Sequence, residues 1–433
     1  MNRALLYCTF NGIANCTNGI GRQAATLLTT LSRRWDELTS ITGPFTPYIA
    51  IPQPGPATWA YNPAQLARAS AIIEMRGGRI IPLPYDTRAG FWSPATWQQL
   101  SRHASDAAAW LASRHSHVGV IAVDTPFAGT GNAFLTRHPA AADAGTVTVL
   151  LTLYGTAHIH DHPAPGAARL AWEHASLTAA RHATVRVADI GDFLTSHLTS
   201  TYAVPASSLI PWRSSLDLTA PDLQPMSPDQ AARMAAEYAI PDERPVIATI
   251  GRTDPAKGID LLIDAVAPLR NRVHLVAIVV PFNDHDPLLS AYQRQIARLS
   301  LPATLVPRFT RDLPRALAAL PRTAAVACPS RGEPLANVPF EVALWARHGG
   351  PVVVAPDRDG FREQVTHRRT GLLYDPRLPG ALTSALADAI TLAPADRARI
   401  CDAAYREVAS TRDVVTNLAP CLRRILSREP GVR

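Results

Sequence analysis

The sequence predicts an α/β protein with two consecutive doubly wound parallel-sheet domains. Three observations predict it: a length of 433 residues, short apolar runs that alternate with helical stretches, and a proline-bearing segment that separates two such series. Hydrophobic residues make up 47% of the chain and charged residues 18%, which is typical of a globular protein and excludes disorder and collagen-like repeats.

The first half alternates between strand-like and helix-like segments. It opens with an apolar run from Arg3 to Phe10, a polar loop, and a helical pattern from Ile20 to Arg34. Later strand-like runs are 79–84, 118–123 and 146–153, and later helical stretches are 94–114 and 167–181. This alternation predicts a parallel sheet with helices on both faces.

A second series follows the segment 204–228, whose five prolines favour a linker. Its strand-like runs are 246–250, 273–280, 304–306, 324–328 and 352–355, and its helical stretches are 258–269, 288–299 and 339–347. We expect a first domain over 1–210, a second over 211–405, and a helical segment over 406–433 that crosses back to the first. A crevice at the carboxyl ends of the two sheets is the expected ligand site.

Composition and charge exclude several classes of function. The five cysteines, at 8, 16, 328, 401 and 421, form no Cys-x-x-Cys pair and are expected to be packing residues. The net charge of +7 comes from scattered residues, so nucleic-acid binding is not supported. No apolar run reaches the roughly 18 residues of a membrane helix, and the first run is too short for a signal peptide, so we expect a cytoplasmic protein without a membrane span.

The segment after the strand-like run 246–250 presents two cations before a helix. Arg252 and Lys257 lie five residues apart in a loop that ends at Gly258, and Lys257 is the only lysine in the chain. Two such cations can converge on one anion, such as a diphosphate leaving group. The alternative is a solvated turn that carries two charges.

A second segment pairs two carboxylates with a helix start. Glu333 lies in the loop after the run 324–328, and Glu341 lies early in the next predicted helix, with seven residues between them. Backbone N–H groups at a helix start favour anions, and carboxylates accept hydrogen bonds from sugar hydroxyls. Stabilisation of the helix dipole would explain Glu341 equally well, but not Glu333.

These segments, together with Gly360–Val365 and Thr370–Tyr374, closely resemble the retaining glycosyltransferases of family 4. The resemblance is strongest over 246–376, and Asn18 to Arg22 is similar to the N-terminal glycine loop of that family. It implies the GT-B fold, with two Rossmann-like domains. It also implies an enzyme that needs no metal or other cofactor and uses a nucleotide-diphosphate sugar, with UDP or GDP as the expected nucleotide.

The resemblance assigns roles by position. Arg252, Lys257 and Glu333 match the catalytic positions: the two cations hold the donor diphosphate and the glutamate contacts the donor sugar. Glu341 matches the residue that binds ribose hydroxyls. The remaining matches are backbone positions that approach the donor: Gly19, Gly21, Leu335, Ala336, Asn337 and Val338.

Three departures from the family pattern concern the substrates. Tyr154 stands where members often have a histidine near the donor sugar, so Tyr154 and His158 are candidate contacts to the acceptor or sugar. Ala336 replaces a glycine of the phosphate turn, and the segment 305–309 lacks the Phe-Leu-Gly of the base-binding strand.

Other interpretations stay open at this point. Gly19-x-Gly21-x-x-Ala24 fits a dinucleotide-binding fingerprint, which would indicate an NAD-dependent oxidoreductase, although residues 11–18 separate it from the strand. The cluster His158 to His162 has the composition of a metal site, but a polar surface turn is the preferred interpretation. A non-catalytic protein that binds a nucleotide sugar is a third alternative.

Arginine preference with abundant alanine and proline is typical of a high-GC actinobacterial genome. We therefore expect a small hydrophilic acceptor from natural-product, antibiotic or small-thiol metabolism: an aminocyclitol, an inositol, a thiol or another natural-product core. The loops 52–62, 85–92 and 124–132 are expected to select it.

Overall fold

The computed structural model describes residues 2–15, 18–55, 58, 60–161, 164–241, 243–283 and 285–428. The chain folds into two compact units, of which unit 1 comprises 1–217 and 412–433 and unit 2 comprises 218–411. The sequence placed the boundaries at 210 and 405, and the first boundary between the units falls inside the predicted linker 204–228.

Unit 1 is built on a seven-stranded sheet in the order β3-β2-β1-β4-β5-β6-β7, and every pairing is parallel. The strands are β1 Arg3–Cys8, β2 Thr46–Pro52, β3 Ile80–Leu83, β4 His117–Val123, β5 Val147–Thr152, β6 Val185–Asp189 and β7 Leu209–Pro211. The helices between them are α1 Gly19–Arg33, α2 Trp35–Thr42, α3 Pro63–Glu74, α4 Pro94–Ala112, α5 Thr130–Arg137, α6 Pro139–Asp143, α7 Ala157–His160, α8 Ala167–Leu177 and α9 Asp192–Tyr202.

Unit 2 is built on a six-stranded parallel sheet in the order β10-β9-β8-β11-β12-β13. The strands are β8 Val246–Arg252, β9 His274–Val280, β10 Ala303–Val306, β11 Thr323–Ala327, β12 Val352–Pro356 and β13 Leu372–Tyr374. The helices are α10 Pro228–Glu237, α11 Ile259–Val266, α12 Pro287–Arg298, α13 Asp312–Ala319, α14 Val338–Trp345, α15 Phe361–Gln364, α16 Ala381–Thr391 and α17 Pro394–Thr411. The predicted fold class, two doubly wound parallel sheets, is confirmed.

Buried strands form the core of each unit. Every residue of β4 and β11 is buried, as expected for central strands covered on both faces. Several helices begin with a capping side chain followed by proline, as in Asn62-Pro63, Ser93-Pro94 and Asp286-Pro287. This pairing fixes where the helices start, because the cap satisfies an amide of the first turn and proline needs none.

The last helix, α18 Val414–Ile425, belongs to unit 1. His117 Nε2 lies 3.0 Å from the carbonyl oxygen of Ile425, and a Cβ on Gly119 would lie 3.1 Å from the same oxygen. At its start, the Asp413 carboxylate accepts from Arg34 at 2.5 Å. Glycine in β4 therefore permits the close approach of this C-terminal helix to the first sheet.

Four strands were missed at the sequence level: β2, β6, β7 and the three-residue β13. Proline explains two of them. β2 includes Pro47 and Pro52, and β7 ends at Pro211. Pro211 is tolerated because β7 is an edge strand, where a missing N–H leaves no neighbour unpaired. β6 was missed because the helical stretch predicted before it ends close to its start.

The cysteines at 8, 328, 401 and 421 are buried and free, as packing residues should be, and Cys16 lies outside the described residues. Within the described ranges, no helix combines the length and the apolar character needed to cross a membrane.

Candidate functional site

The carboxyl ends of β8 and β11 bring two predicted site residues into contact. β8 ends at Arg252 and a single 3-10 turn, Pro255–Lys257, follows, while Glu333 lies in the loop after β11. The Lys257 ammonium group donates to Glu333 Oε2. The Glu333 side chain is 8% exposed and that of Lys257 is 25% exposed, so solvent reaches the pair from the lysine side.

Arg331 ties the two loops to each other. The Arg331 guanidinium binds the Asp260 carboxylate with contacts of 2.8 and 2.5 Å. The backbone N–H of Arg331 donates to the Ala256 carbonyl at 2.7 Å. Burial would raise the pKa of Asp260, but the hydrogen bonds from Arg331 outweigh it and hold that pKa below its usual range. Arg331 therefore holds the loop that carries Lys257 and the loop that carries Glu333 together. We call the surface formed by these two loops the ledge.

Gly258 is required for this arrangement. Its φ is +63°, and a Cβ there would lie 2.1 Å from the Pro329 carbonyl oxygen. A side chain would both strain the backbone and collide with the second loop.

Arg252 has different partners from Lys257. Its Nη2 donates to Asp254 at 3.0 Å, and its guanidinium carbon lies 5.0 Å from the centre of the Phe282 ring. Asp254 also accepts from the Ala256 N–H at 3.0 Å. Both predicted cations thus lie on the ledge and are paired with acids. Arg252 is paired with Asp254, and Lys257 is paired with Glu333.

The segment Leu335–Val338 leads into α14, where Glu341 occupies the first turn and is partly exposed. The Asn337 side chain, at the start of this helix, makes no capping hydrogen bond. The Ala336 N–H donates to Gln364 Oε1 at 3.0 Å, and Gln364 Nε2 donates back to the Ala336 carbonyl. This contact competes with the amide role that the resemblance gives to Ala336.

Gln364 and Gly360 contact the loop of Glu333, and the sequence pattern left them without a role. The Gly360 N–H donates to the Glu333 carbonyl at 3.0 Å, and a Cβ on Gly360 would lie 1.8 Å from the Pro334 carbonyl oxygen. Their signal was the motif Gly360–Val365 itself. In the fold, this motif holds the backbone at Glu333 and at Ala336, three residues further on.

In unit 1, the predicted glycine loop lies at the start of α1. The Asn18 side chain accepts from the Gly21 N–H at 2.8 Å, and a Cβ on Gly21 would lie 2.4 Å from Asn11 Oδ1. Gly21 is buried by this packing, whereas Gly19 is exposed. Residues 9–18 separate β1 from α1, so the tight turn of a dinucleotide fingerprint is not formed. The proposed approach of these glycines to a diphosphate stays a prediction.

Tyr154 and His158 differ in accessibility. The Tyr154 hydroxyl is buried without a hydrogen-bond partner among the described residues, and burial raises its pKa well above the usual value. His158 is exposed on α7, with its ring edge-on to His197 and Tyr202 at 6.1 Å. His158 is therefore the more accessible of the two, while the hydroxyl of Tyr154 is enclosed.

Asp124 and Glu173 are buried carboxylates. The sequence analysis missed Glu173 and included Asp124 only as the first residue of the loop 124–132. Asp124 follows β4 with φ +61°, and burial, the main cause, raises its pKa to about 6. Glu173 is fully buried and accepts from the Ala157 N–H, from Arg169 Nε at 2.8 Å and from the Tyr202 hydroxyl at 2.6 Å. Asp124 could have been found as the polar residue that ends an apolar run, but nothing in the sequence marks Glu173.

Over the residues that the structure describes, no three His, Cys, Asp or Glu side chains gather as a metal ligand set. His162, the last member of the predicted histidine cluster, lies outside those residues.

The sequence resembles known glycosyltransferases. Residues 231–407 match the family model of the glycosyl transferases group 1. A GDP-mannose-dependent alpha-(1-6)-phosphatidylinositol monomannoside mannosyltransferase of Mycolicibacterium smegmatis is 33% identical over 228 residues, which cover 49% of this chain and 56% of that relative. A D-inositol 3-phosphate glycosyltransferase of Kribbella flavida is 32% identical over 40% of this chain and 41% of its own length. The matched regions thus span only about half of these relatives.

Solved structures resemble the chain over nearly its whole length. Sucrose-phosphate synthase from Thermosynechococcus elongatus has a TM-score of 0.71 and 16% identity and covers 98% of both chains. HepE of Anabaena, solved in complex with UDP, has a TM-score of 0.67 and 17% identity and covers 97% of this chain and 98% of its own. Residues 231–407 therefore match the model of the glycosyl transferases group 1 family, and the chain has the GT-B fold with two Rossmann-like domains.

Proposed function

We propose that this protein is a retaining glycosyltransferase of family 4 that moves a sugar from a nucleotide-diphosphate donor to a small hydroxylated acceptor without a metal. The observation that carries the proposal is the contact between Lys257 and Glu333 at the carboxyl ends of β8 and β11, inside the segment that matches the family model. Ligands of doubly wound sheets bind at that edge.

The ion pair supports a role for each partner in donor binding. In this structure Glu333 neutralises Lys257. A diphosphate competes for the same ammonium group, and once Lys257 turns to it, the Glu333 carboxylate is released to accept hydrogen bonds from sugar hydroxyls. Arg252, on the same ledge, adds a second cation to the diphosphate.

The chemical step follows from where charge develops. As the bond from the anomeric carbon to the diphosphate breaks, negative charge grows on the leaving oxygen, and Lys257 and Arg252 stabilise it. The acceptor hydroxyl attacks from the face that the nucleoside diphosphate leaves, and a donor phosphate oxygen removes its proton. Attack on that face retains the anomeric configuration. Glu341, in the first turn of α14, is proposed to bind the ribose hydroxyls.

The acceptor class is supported by the relatives named for phosphatidylinositol monomannoside and inositol 3-phosphate. We propose an inositol or an aminocyclitol, polyols with similar rings, as the hydroxyl-bearing part of the acceptor. UDP and GDP are the proposed nucleotides, and natural-product metabolism is the proposed setting.

Calorimetric titration with UDP, GDP, ADP and dTDP tests donor recognition. We expect one diphosphate to bind, and we expect the Lys257→Ala variant to lose that binding. Transfer from the matching nucleotide sugar to myo-inositol, with the product's anomeric configuration read by NMR, tests the reaction. Binding of NAD but of none of the four diphosphates would contradict the proposal. Binding without transfer or donor hydrolysis would favour a non-catalytic nucleotide-sugar protein.

A further inference from the structure

A cluster of aromatic rings occupies the carboxyl edge of the sheet in unit 1. It consists of Phe10, Tyr85, Phe91 and Trp92, which we call the aromatic platform. Phe10 follows β1 and Tyr85 follows β3, so the platform is built from loops at the edge where ligands of such sheets bind. Trp92 is 55% exposed, whereas the other three rings are partly buried.

Contacts with three neighbouring aromatic rings hold the Trp92 ring in place. Its ring is nearly perpendicular to those of Phe10, Phe91 and Trp97, with centroid distances of 5.6, 5.6 and 6.1 Å. Such edge contacts are the favoured geometry between aromatic rings and fix the orientation of the exposed one. The Trp92 ring is therefore held in one orientation. A ligand that covers it costs little side-chain conformational entropy.

Hydrogen bonds also fix the loop that carries the platform. Arg88 forms a two-pronged contact with Asp86 at 3.0 and 2.9 Å, and Thr96 donates to the Gly90 carbonyl at 2.7 Å. Because Arg88 and Asp86 neutralise each other within the loop, this pair adds no net charge beside Trp92, whose ring is more than half exposed. A planar apolar group fits this surface better than a phosphate or a hydrophilic polyol does.

The platform is continuous with the loop after β4. Trp97 lies 6.1 Å from Trp92 and 6.1 Å from Trp172, and the Trp172 indole N–H donates to the Thr125 carbonyl at 2.8 Å. Thr125 directly follows Asp124. A ligand on Trp92 would thus sit on the same edge as the buried carboxylate.

We propose that the aromatic platform binds a planar aromatic group of the acceptor by stacking on Trp92. This inference rests on the proposed glycosyl transfer and narrows its acceptor to a polyol or sugar that carries an aromatic substituent. A lipid bilayer is the less favoured occupant, because a single largely exposed ring flanked by a neutral ion pair lacks the broad apolar and basic surface that a membrane requires.

The test compares two probes that differ only in the aromatic group, 4-nitrophenyl and methyl α-D-mannopyranoside, by calorimetry on the full chain. We expect the wild type to bind the nitrophenyl compound about tenfold more tightly, and Trp92→Ala to abolish that preference. Trp92→Phe should keep most of it. Met75→Ala, which removes another exposed apolar side chain of unit 1, should leave it unchanged.

Nucleotide binding separates the two proposals. If a nucleoside diphosphate binds and donor is turned over while the two probes bind equally, the platform is overturned and the glycosyltransferase stands. If the nitrophenyl preference depends on Trp92 but no diphosphate binds, the platform stands and the glycosyltransferase fails. Binding to phosphatidylinositol-containing vesicles that is lost in Trp92→Ala, without any nitrophenyl preference, would overturn the platform in favour of a membrane contact.

Discussion

The two units place charged side chains at the carboxyl ends of their sheets in different physical settings. In unit 2, Lys257 and Glu333 form a pair that solvent reaches from the lysine side. In unit 1, Glu173 is fully buried among three donors, and Asp124 is 7% exposed. A partly exposed pair can exchange its partner for a ligand at small cost, whereas a buried group that loses its partner costs several kcal/mol. Unit 2 therefore holds charges suited to a ligand, and unit 1 holds charges that shape its loops.

The largest effect on activity expected from this comparison is on catalysis in unit 2. Lys257→Ala should lower turnover by about a hundred- to a thousandfold, because the ammonium stabilises charge that develops as diphosphate leaves. Steady-state transfer assays measure it. Lys257→Arg, which keeps the charge but not the compact ammonium, should lose less. Wild-type turnover in Lys257→Ala would remove the residue from the mechanism.

The next effect concerns stability in unit 1. Glu173→Ala should lower the free energy of unfolding by about 3–5 kcal/mol, because Arg169 and the Ala157 N–H lose a buried acceptor. Urea unfolding measures it. Glu37→Ala is the matched control: Glu37 is 52% exposed and also paired with an arginine, Arg34, so its loss should cost about 1 kcal/mol or less. Equal losses in the two variants would break the comparison between buried and exposed pairs.

A pH dependence is expected from Asp124. Its pKa of about 6 in the folded state lies above the usual value of 3.8, so the folded protein binds this proton more tightly than the unfolded chain does. The stability that the protonated form provides is complete below pH 4 and is lost as the pH rises through 6. Asp124→Asn should avoid this loss and be more stable than the wild type above pH 6, by up to about 3 kcal/mol.

Unfolding midpoints from pH 3.5 to 8 test this expectation. Asparagine tolerates the positive φ at this position, so the backbone should not confound the result. Asp359→Asn is the control, since Asp359 also has a positive φ but is paired with Arg358 at 2.9 Å. A gain for Asp124→Asn that is the same at every pH would rule out a titrating carboxyl group.

The same difference between the units explains what the sequence could predict. Lys257 and Glu333 each follow a strand, and the ends of neighbouring parallel strands meet at one edge, so their proximity follows from the pattern. Arg169 and Glu173 are four residues apart on a helix, which suggests a solvated ion pair. Glu173 is instead fully buried, because Tyr202 and the Ala157 amide close over it, and those contacts come from tertiary packing.

Gly360, Gln364 and the glycine loop show the same limit. Their motifs marked the positions, but the contacts that explain them depend on how loops pack. Gly21 is buried against Asn11, and Gly360 lies against the Pro334 carbonyl. The fold class was predictable because apolar runs of strand length recur in order. The strand Thr46–Pro52 was not predictable, because it contains two prolines and proline argues against a strand.

The smallest predicted effect separates a ligand contact from a helix-dipole effect in unit 2. Glu341→Ala should weaken donor binding by about tenfold, through lost hydrogen bonds to ribose, and leave turnover at saturating donor close to wild type. Donor titrations and the ratio of kcat to KM measure this.

Asp312 provides the matched control, because it also lies in the first turn of an eight-residue helix, α13, and is 58% exposed. A glutamate that only complements the helix dipole should behave like Asp312, whose removal should cost a few tenths of a kcal/mol of stability and no donor affinity. If Glu341→Ala and Asp312→Ala give the same small loss of stability and the same donor affinity, Glu341 stabilises its helix and the ribose contact is wrong. If only Glu341→Ala raises the donor KM, the carboxylate acts on the ligand, as a partly exposed acid at the carboxyl edge of unit 2 should.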